Sequence, residues 1–119
     1  MYKDVIDTQK GIAFMAGKKE IYIKIAHSFT KNSDAKVAEL RRFMESGDYE
    51  RLTIEFHGLK SSSASVGSTA LPGMALALEL AGKRGENDYI SEKFEDFIGQ
   101  YQDTCGAIKE AAARLQAGP

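Results

Sequence analysis

The chain has a single cysteine, no tryptophan and only two prolines among its 119 residues. One cysteine, Cys105, cannot form an internal disulfide, which excludes a secreted scaffold held together by disulfides. No apolar run approaches the ~20 residues that cross a bilayer, and the first residues do not resemble the core of a signal peptide. We therefore expect a cytoplasmic protein that does not enter a membrane.

Neither sign of charge dominates. Sixteen basic residues against seventeen acidic ones give a formal net charge of −1, and this balance leaves no positive surplus to bind the phosphate backbone of a nucleic acid. Hydrophobic residues make up 43% of the chain, an ordinary fraction for a globular protein rather than a disordered one. The length predicts one domain over residues 1–119, with residues 1–6 and 116–119 frayed.

Helical spacing of apolar residues dominates the pattern. It predicts helices over about 7–16, with Asp7 or Thr8 as the N-cap, over 18–30, and from a cap at 32–34 to Gly47. Three longer segments follow, over about 48–67, from a cap at Ser68 or Thr69 to 82–85, and from about Asp88 to Leu115. Short connections between amphipathic helices favour antiparallel neighbours. The predicted fold is all-α, an antiparallel four-helix bundle with one or two short additional N-terminal helices.

The helix predicted over 48–67 presents a histidine on its polar side. At about 100° per residue its apolar side chains cluster some 140° away from His57, so this imidazole points to solvent. Small or polar residues share its face, among them Thr53, Ser61, Ala64 and Ser68, with Ile54 and Ser65 to one side. Serine and glycine are mediocre or poor helix formers. Such a face favours close approach by another protein over helix stability.

Lys60 lies one turn after His57. A lysine at i+3 supplies a fixed positive charge where a phosphoryl group on the imidazole would sit. Lys83 and Arg84, at the end of the next helix, are weaker candidates for the same role. Cations at a helix C-terminus stabilise the helix itself, so their presence there needs no functional reason.

The run His57-Gly58-Leu59-Lys60-Ser61, followed by Gly67, resembles the His-x-Leu-Lys-Gly signature of histidine-containing phosphotransfer domains. The resemblance extends in order to Ile6-Asp7, Gly11 and Tyr22, and to Leu78-Glu79 with Arg84-Gly85-Glu86. Three positions depart from the family pattern. Ser61 replaces a glycine, Phe56 stands where a small residue is common, and Lys18 follows Gly17 where an aspartate cap is usual.

The resemblance implies that His57 carries a phosphoryl group to or from an aspartate of a receiver domain. His57 would be the phosphoacceptor, and Lys60 would neutralise the phosphate. Thr53, Ile54, Ser61, Ala64, Ser65, Ser68, Lys83 and Arg84 would meet the partner. A response-regulator receiver and a hybrid sensor histidine kinase are the expected partners. The chain itself needs no cofactor, and Mg²⁺ is expected on the receiver alone. The chain is expected to be a phosphocarrier rather than a multiple-turnover enzyme, and a monomer is favoured.

Two alternatives remain. The same bundle could dock a receiver or kinase without carrying phosphate, as the serine at position 61 and the adaptable serine-rich face allow. The second alternative, a metal hydrolase, lacks the required ligands. Di-metal bundles use a glutamate three residues before a histidine, and neither His27 nor His57 has one. His27 is expected to be an ordinary surface residue, and Cys105 a core residue.

Overall fold

The computed structural model describes residues 4 to 118, which contain six helices. They are α1 (Thr8–Phe14), α2 (Lys19–Lys31), α3 (Ser33–Glu45), α4 (Tyr49–Ser65), α5 (Leu71–Lys83) and α6 (Asn87–Ala117). An isolated antiparallel bridge joins Ile6 to Ser68. The all-helical fold confirms the predicted fold class. None of the helices within residues 4 to 118 combines the length and the apolar character that a membrane span requires.

The helices form a bundle with four sides, one of which contains two consecutive helices. Only Asn32 separates α2 from α3, and both pack against α6, so together they form one side. The helices α4, α5 and α6 form the other three. With 31 residues, α6 is about 46 Å long, close to the 48 Å long axis of the molecule. The short α1 packs against α2 and α4 as the additional N-terminal helix.

The buried apolar side chains fall into two clusters. The larger one lies between α3, α4, α5 and the first half of α6, and at its centre Phe56 and Phe97 meet edge to face at 5.2 Å between ring centroids. The smaller one joins α2 to the end of α6 through Tyr22, Ala26, Val66, Ile108 and Ala112. Cys105 belongs to the larger cluster, as predicted. The core therefore lies behind α4, opposite the face that carries His57.

The turn between α4 and α5 is fixed by the N-terminal segment. Gly67 has φ +87°, and a Cβ atom there would lie 2.3 Å from the carbonyl oxygen of Asp7. Only glycine fits this combination of left-handed backbone and close approach. The Asp7 amide also donates to the Gly67 carbonyl at 2.7 Å, and Asp7 caps α1 through its side chain. Helix α4 consequently ends at Ser65, two residues before the predicted end.

Asp4 fastens the same segment to the bundle. Its carboxylate accepts hydrogen bonds from the hydroxyls of Ser68, Thr69 and Thr104 and from the backbone amides of Thr69 and Ala70. Burial alone would raise the pKa of Asp4, but these hydrogen bonds outweigh it and lower the pKa. These contacts and the bridge from Ile6 to Ser68 hold residues 4–6 against the bundle, and the fraying of residues 1–6 stays a prediction.

At the other end of the chain, α6 continues through residues 116 and 117. The backbone there is helical, and the fraying of residues 116–119 stays a prediction. Residues 1–3 belong to the first of these predictions and residue 119 to the second, and all four lie outside the described residues.

Candidate functional site

His57 stands midway along α4 on its solvent side. Its side chain is 64% exposed, whereas Phe56 beside it is fully buried. Leu52 and Leu59 are buried on the same side of the helix as Phe56. The structure therefore gives this imidazole the exposed position that the apolar spacing of α4 predicts.

Glu79 of α5 holds the imidazole. Its side chain is only 1% exposed, and its Oε2 atom lies 2.7 Å from Nδ1 of His57. Within α5 it is the only acidic residue, in a helix otherwise made largely of leucine, alanine and glycine. A buried carboxylate is stable only when it is paired and hydrogen-bonded, and the pairing here is made to the candidate phosphoacceptor.

Two lysines complete the cluster around Glu79. The ammonium of Lys60 lies 2.8 Å from Oε1, and that of Lys83 lies 2.9 Å from Oε2, the oxygen that also meets His57. Lys83 reaches the carboxylate from one turn further along α5, whereas Lys60 comes from α4. The four side chains of His57, Lys60, Glu79 and Lys83 are called the His57 cluster below.

The His57 cluster keeps its carboxylate ionised. Hydrogen bonds from Lys60, then from Lys83 and His57, lower the pKa of Glu79 to about 2. An ionised carboxylate only accepts hydrogen bonds, so Nδ1 of His57 must be the nitrogen that carries the proton. In the neutral ring, Nε2 then holds the free electron pair. The cluster thus fixes the tautomer in which Nε2 is a nucleophile.

The spacing between α4 and α5 depends on a glycine near the cluster. A Cβ atom on Gly82 would lie 1.8 Å from Oγ1 of Thr53, so the two helices approach too closely here for any side chain. The Thr53 hydroxyl is turned inward along α4 and donates to the Tyr49 carbonyl at 2.7 Å. This contact lies one turn from both His57 and Glu79, where it sets the distance between their helices.

Several of the predicted partner-binding residues surround His57. Thr53, Ile54 and Lys83 line a hollow of about 180 Å³ together with His57 and Glu79. Ile54 is 63% exposed, an unusual fraction for isoleucine. Further along α4, Ser61 is exposed while Ala64 and Ser65 are half-buried. A low surface therefore extends from the hollow past the imidazole.

Ser68 and Arg84 do not join that surface. Ser68 is buried, because α4 ends at Ser65 and the hydroxyl of Ser68 turns inward to Asp4 and the amide of Leu71. Arg84 is exposed, but it follows the end of α5 and lines a different hollow, with Leu80 and Tyr89. The predicted face assumed that α4 continued to Gly67 and that both basic residues after Gly82 pointed toward it.

Other candidate nucleophiles and ligands lie away from the site. Cys105 is buried, and its burial raises the pKa of the thiol to about 11, so the thiolate is not available near neutral pH. His27 is exposed on α2. Among the described residues, no group of three histidine, cysteine, aspartate or glutamate side chains could hold a metal ion.

Glu79 is the functional residue that the predicted site lacks, although Leu78-Glu79 forms part of the family resemblance. A signal for it exists in the sequence. A single carboxylate in an otherwise apolar helix, with a lysine four residues later, must find a partner when the helix packs. What the sequence does not reveal is that α4 brings His57 and Lys60 to it.

One comparison with known proteins identifies a family for this chain. The family model described as Hpt domain matches residues 24–118, which include α3 to α6 and all of the His57 cluster. Neither curated proteins nor solved structures gave a significant match. Because the matched region covers most of the chain and contains the exposed histidine with its supporting residues, the chain belongs to the Hpt domain family.

Proposed function

We propose that this chain is a phosphocarrier that accepts a phosphoryl group on Nε2 of His57 and passes it on in a multistep phosphorelay. Hpt domains act in histidine phosphotransfer, together with receiver domains and histidine kinases. The donor proposed here is the aspartyl phosphate of a receiver domain or a hybrid sensor kinase, and the acceptor is the aspartate of another receiver. The observation that carries the proposal is the hydrogen bond between the exposed imidazole and the buried Glu79.

The reaction needs no proton transfer at His57. The electron pair on Nε2 attacks the phosphorus atom, an N–P bond forms, and the P–O bond to the aspartate breaks as the carboxylate leaves with its electron pair. The ring becomes a phosphoimidazolium that still carries the Nδ1 proton. Glu79, ionised and 2.7 Å away, stabilises that cation. In the reverse direction the ring leaves as a neutral imidazole, so one hydrogen bond serves acceptance and donation.

Positive charge for the phosphoryl group comes from the lysines of the His57 cluster. Phosphoryl transfer depends mainly on positioning and on neutralising the charge of the transferred group. The metal ion and the acidic pocket that the reaction also uses are assigned to the receiver, where Mg²⁺ is expected. Lys60 keeps the role that the resemblance implies, and its ammonium already lies within the cluster.

The low surface around His57 is proposed as the docking site for the receiver. Ile54 offers an exposed apolar side chain, and Ser61, Ala64 and Ser65 leave room for the partner backbone to approach the imidazole. A cytoplasmic location and a monomeric state are proposed with it.

Phosphotransfer from a labelled receiver tests the proposal. We expect the wild-type chain to acquire acid-labile, base-stable phosphate from a phosphorylated receiver domain, and His57→Gln to acquire none. His27→Gln is the matched control, since it removes the other histidine of the chain, and it should label like the wild type. Equal labelling of His57→Gln would refute the proposal. Receiver binding without transfer would favour a docking module instead.

A further inference from the structure

A second and larger hollow lies beside the one that contains His57. It has a volume of about 480 Å³ and lies between α2, α3, α4 and α6. Ile54 lines both hollows, so the two are neighbours on the surface proposed for docking. The larger one is called the Glu55 hollow below, and its walls include Phe29, Lys36, Ile54, Glu55, Gly58 and Tyr101.

The floor of the Glu55 hollow is apolar and aromatic. Tyr101 and Leu59 are buried beneath it, and the rings of Phe29 and Tyr101 lie 5.9 Å apart between centroids. Aliphatic and aromatic surfaces of this kind pack against the methylene stem of a lysine or arginine, and aromatic rings also attract its charge. The floor therefore suits a long basic side chain as well as an apolar one.

The rim of the Glu55 hollow carries an excess of negative charge. Lys36 of α3 and Glu55 of α4 both line it, and the Lys36 ammonium contacts the carboxylates of Glu55 and Glu39. One ammonium thus faces two carboxylates, which leaves one negative charge in excess. The His57 cluster has the opposite excess, because one carboxylate there faces two ammonium groups. Charges of opposite sign therefore lie on the two sides of Ile54.

Gly58 leaves the Glu55 hollow open on the side of α4. It lies inside the helix, where glycine is less favourable than alanine. A Cβ atom on Gly58 would meet nothing within 4 Å, and its φ is not in the left-handed region. Neither packing nor backbone conformation requires a glycine here, in contrast to Gly67 and Gly82. What the missing side chain provides is space for an occupant from outside the chain.

Resting on the proposed function, we infer that the Glu55 hollow receives a lysine or arginine side chain of the receiver domain that docks at His57. The stem of that side chain lies over the aromatic floor, and its charge meets the carboxylate of Glu55. Two contacts of opposite sign then fix the orientation of the partner, because its acidic pocket faces the His57 cluster while its basic side chain enters the Glu55 hollow. Receivers without a basic residue at that place dock less well.

A pair of glycine variants tests the space. Gly58→Ala places a methyl group in the Glu55 hollow. Gly106→Ala is the matched control, because Gly106 is also an exposed helical glycine whose Cβ would meet nothing within 4 Å, and it does not line the hollow. Both variants should raise the Tm by about 4 °C, the gain from alanine inside a helix. Only Gly58→Ala should lower the second-order rate of transfer from the receiver that labels the wild type, by about fivefold or more.

A pair of glutamate variants tests the charge. Glu55→Gln removes the excess negative charge and nearly retains the shape, and Glu92→Gln is the control, since Glu92 is exposed on α6 and does not line the hollow. We expect Glu55→Gln to lower the same rate about threefold at low salt, the effect of one partly exposed charge at the rim of an interface. The loss should shrink at high ionic strength, where such charges are screened. Glu92→Gln should transfer like the wild type.

Phosphoramidate, a small phosphodonor that needs no docking surface, separates docking from chemistry. It should phosphorylate His57 in Gly58→Ala and Glu55→Gln at the wild-type rate, and a lower rate would overturn the inference. The inference is also overturned if Gly58→Ala takes phosphate from the receiver as fast as Gly106→Ala does. It is equally overturned if Glu55→Gln shows no salt-dependent loss, which would assign the hollow to an uncharged group. A wild-type chain that takes no phosphate on His57 from a receiver would refute the proposed function itself, so the two failures are distinguishable.

Discussion

Replacement of Glu79 by glutamine separates the effect of tautomer from the effect of charge. Glutamine has nearly the same shape but presents one carbonyl oxygen and one NH₂ group. In the wild type, Oε1 meets the Lys60 ammonium, and Oε2 meets both Lys83 and Nδ1 of His57. Every one of these neighbours donates a hydrogen bond. An NH₂ group in the position of either oxygen therefore finds no hydrogen-bond acceptor while the ring keeps its Nδ1 proton.

The amide of the Glu79→Gln variant has two ways to sit. With its oxygen toward His57, its NH₂ group faces the Lys60 ammonium, which is repulsive. With its oxygen toward Lys60, its NH₂ group faces Nδ1, and the imidazole must then move its proton to Nε2. The second arrangement satisfies Lys60 but also turns the NH₂ group toward the Lys83 ammonium, and it removes the free electron pair from Nε2. The first arrangement keeps the proton on Nδ1, but its neutral amide oxygen stabilises the phosphoimidazolium less than a carboxylate does. Both arrangements therefore slow acceptance. We therefore expect phosphoryl acceptance to fall by about tenfold or more, as when other carboxylates that orient a histidine are replaced.

Rapid-quench measurement of transfer from a phosphorylated receiver gives the rate, and ¹⁵N NMR of the ring gives the tautomer. If charge alone mattered, Glu79→Gln would accept the phosphoryl group faster than the wild type, because two lysines without their counter-ion attract it more strongly. An unchanged or faster rate in Glu79→Gln would refute the role given to the Glu79 carboxylate, and the tautomer of the ring shows which of the two arrangements the amide takes.

The pH dependence of stability provides an independent check on the same residue. The pKa of Glu79 in the folded chain is lowered to about 2 from its ordinary value of 4.5. A lowered pKa stabilises the fold above the unfolded value, and that contribution is lost as the pH falls toward the folded value. The difference in unfolding free energy between wild type and Glu79→Gln should therefore shrink as the pH falls from 4.5 to about 2. A difference that is constant across this window would contradict the pairing.

Two further predictions concern the frame that holds the His57 cluster. Asp4→Ala removes the carboxylate that accepts hydrogen bonds from the turn before α5 and from Thr104. The change should cost about 2 kcal/mol, a fall in Tm of about 8 °C by thermal denaturation. A fall below about 1 °C would show that these contacts are dispensable. Gly82→Ala places a Cβ atom against Thr53 and should destabilise the fold by about 1–2 kcal/mol, since overpacking exceeds the gain in helix propensity. Thr53→Ala should recover most of that loss in chemical denaturation of the double variant, and no recovery would contradict the proposed clash.

Much of the fold follows from local sequence signals. The apolar spacing of α4 places Phe56 in the core and His57 in solvent, and both positions depend only on the period of the helix. The Asp7 cap and the stops near Gly47 and Gly85, both with positive φ, are also local. These features could be predicted because each is decided within a few residues.

The features that the sequence does not predict depend on contacts between distant segments. Helical spacing places Ser68 on the face of His57, but its hydroxyl donates a hydrogen bond to Asp4, 64 residues away, and is buried. The end of α4 is likewise set by a distant contact, the close approach of the Asp7 backbone to Gly67. Glu79 becomes part of the site only through the packing of α5 on α4. No helical period specifies the register between two helices, which is fixed here by the close contact between Gly82 and Thr53.

The most direct test of the account is the position of the phosphoryl group on the phosphorylated chain. Phosphorylation by a receiver domain, followed by ³¹P and ¹⁵N NMR, distinguishes the two ring nitrogens of His57. Glu79 holds the proton on Nδ1, so we predict an N–P bond at Nε2 and a retained proton on Nδ1. Phosphate on Nδ1, on another residue, or on no residue of the chain would contradict the account.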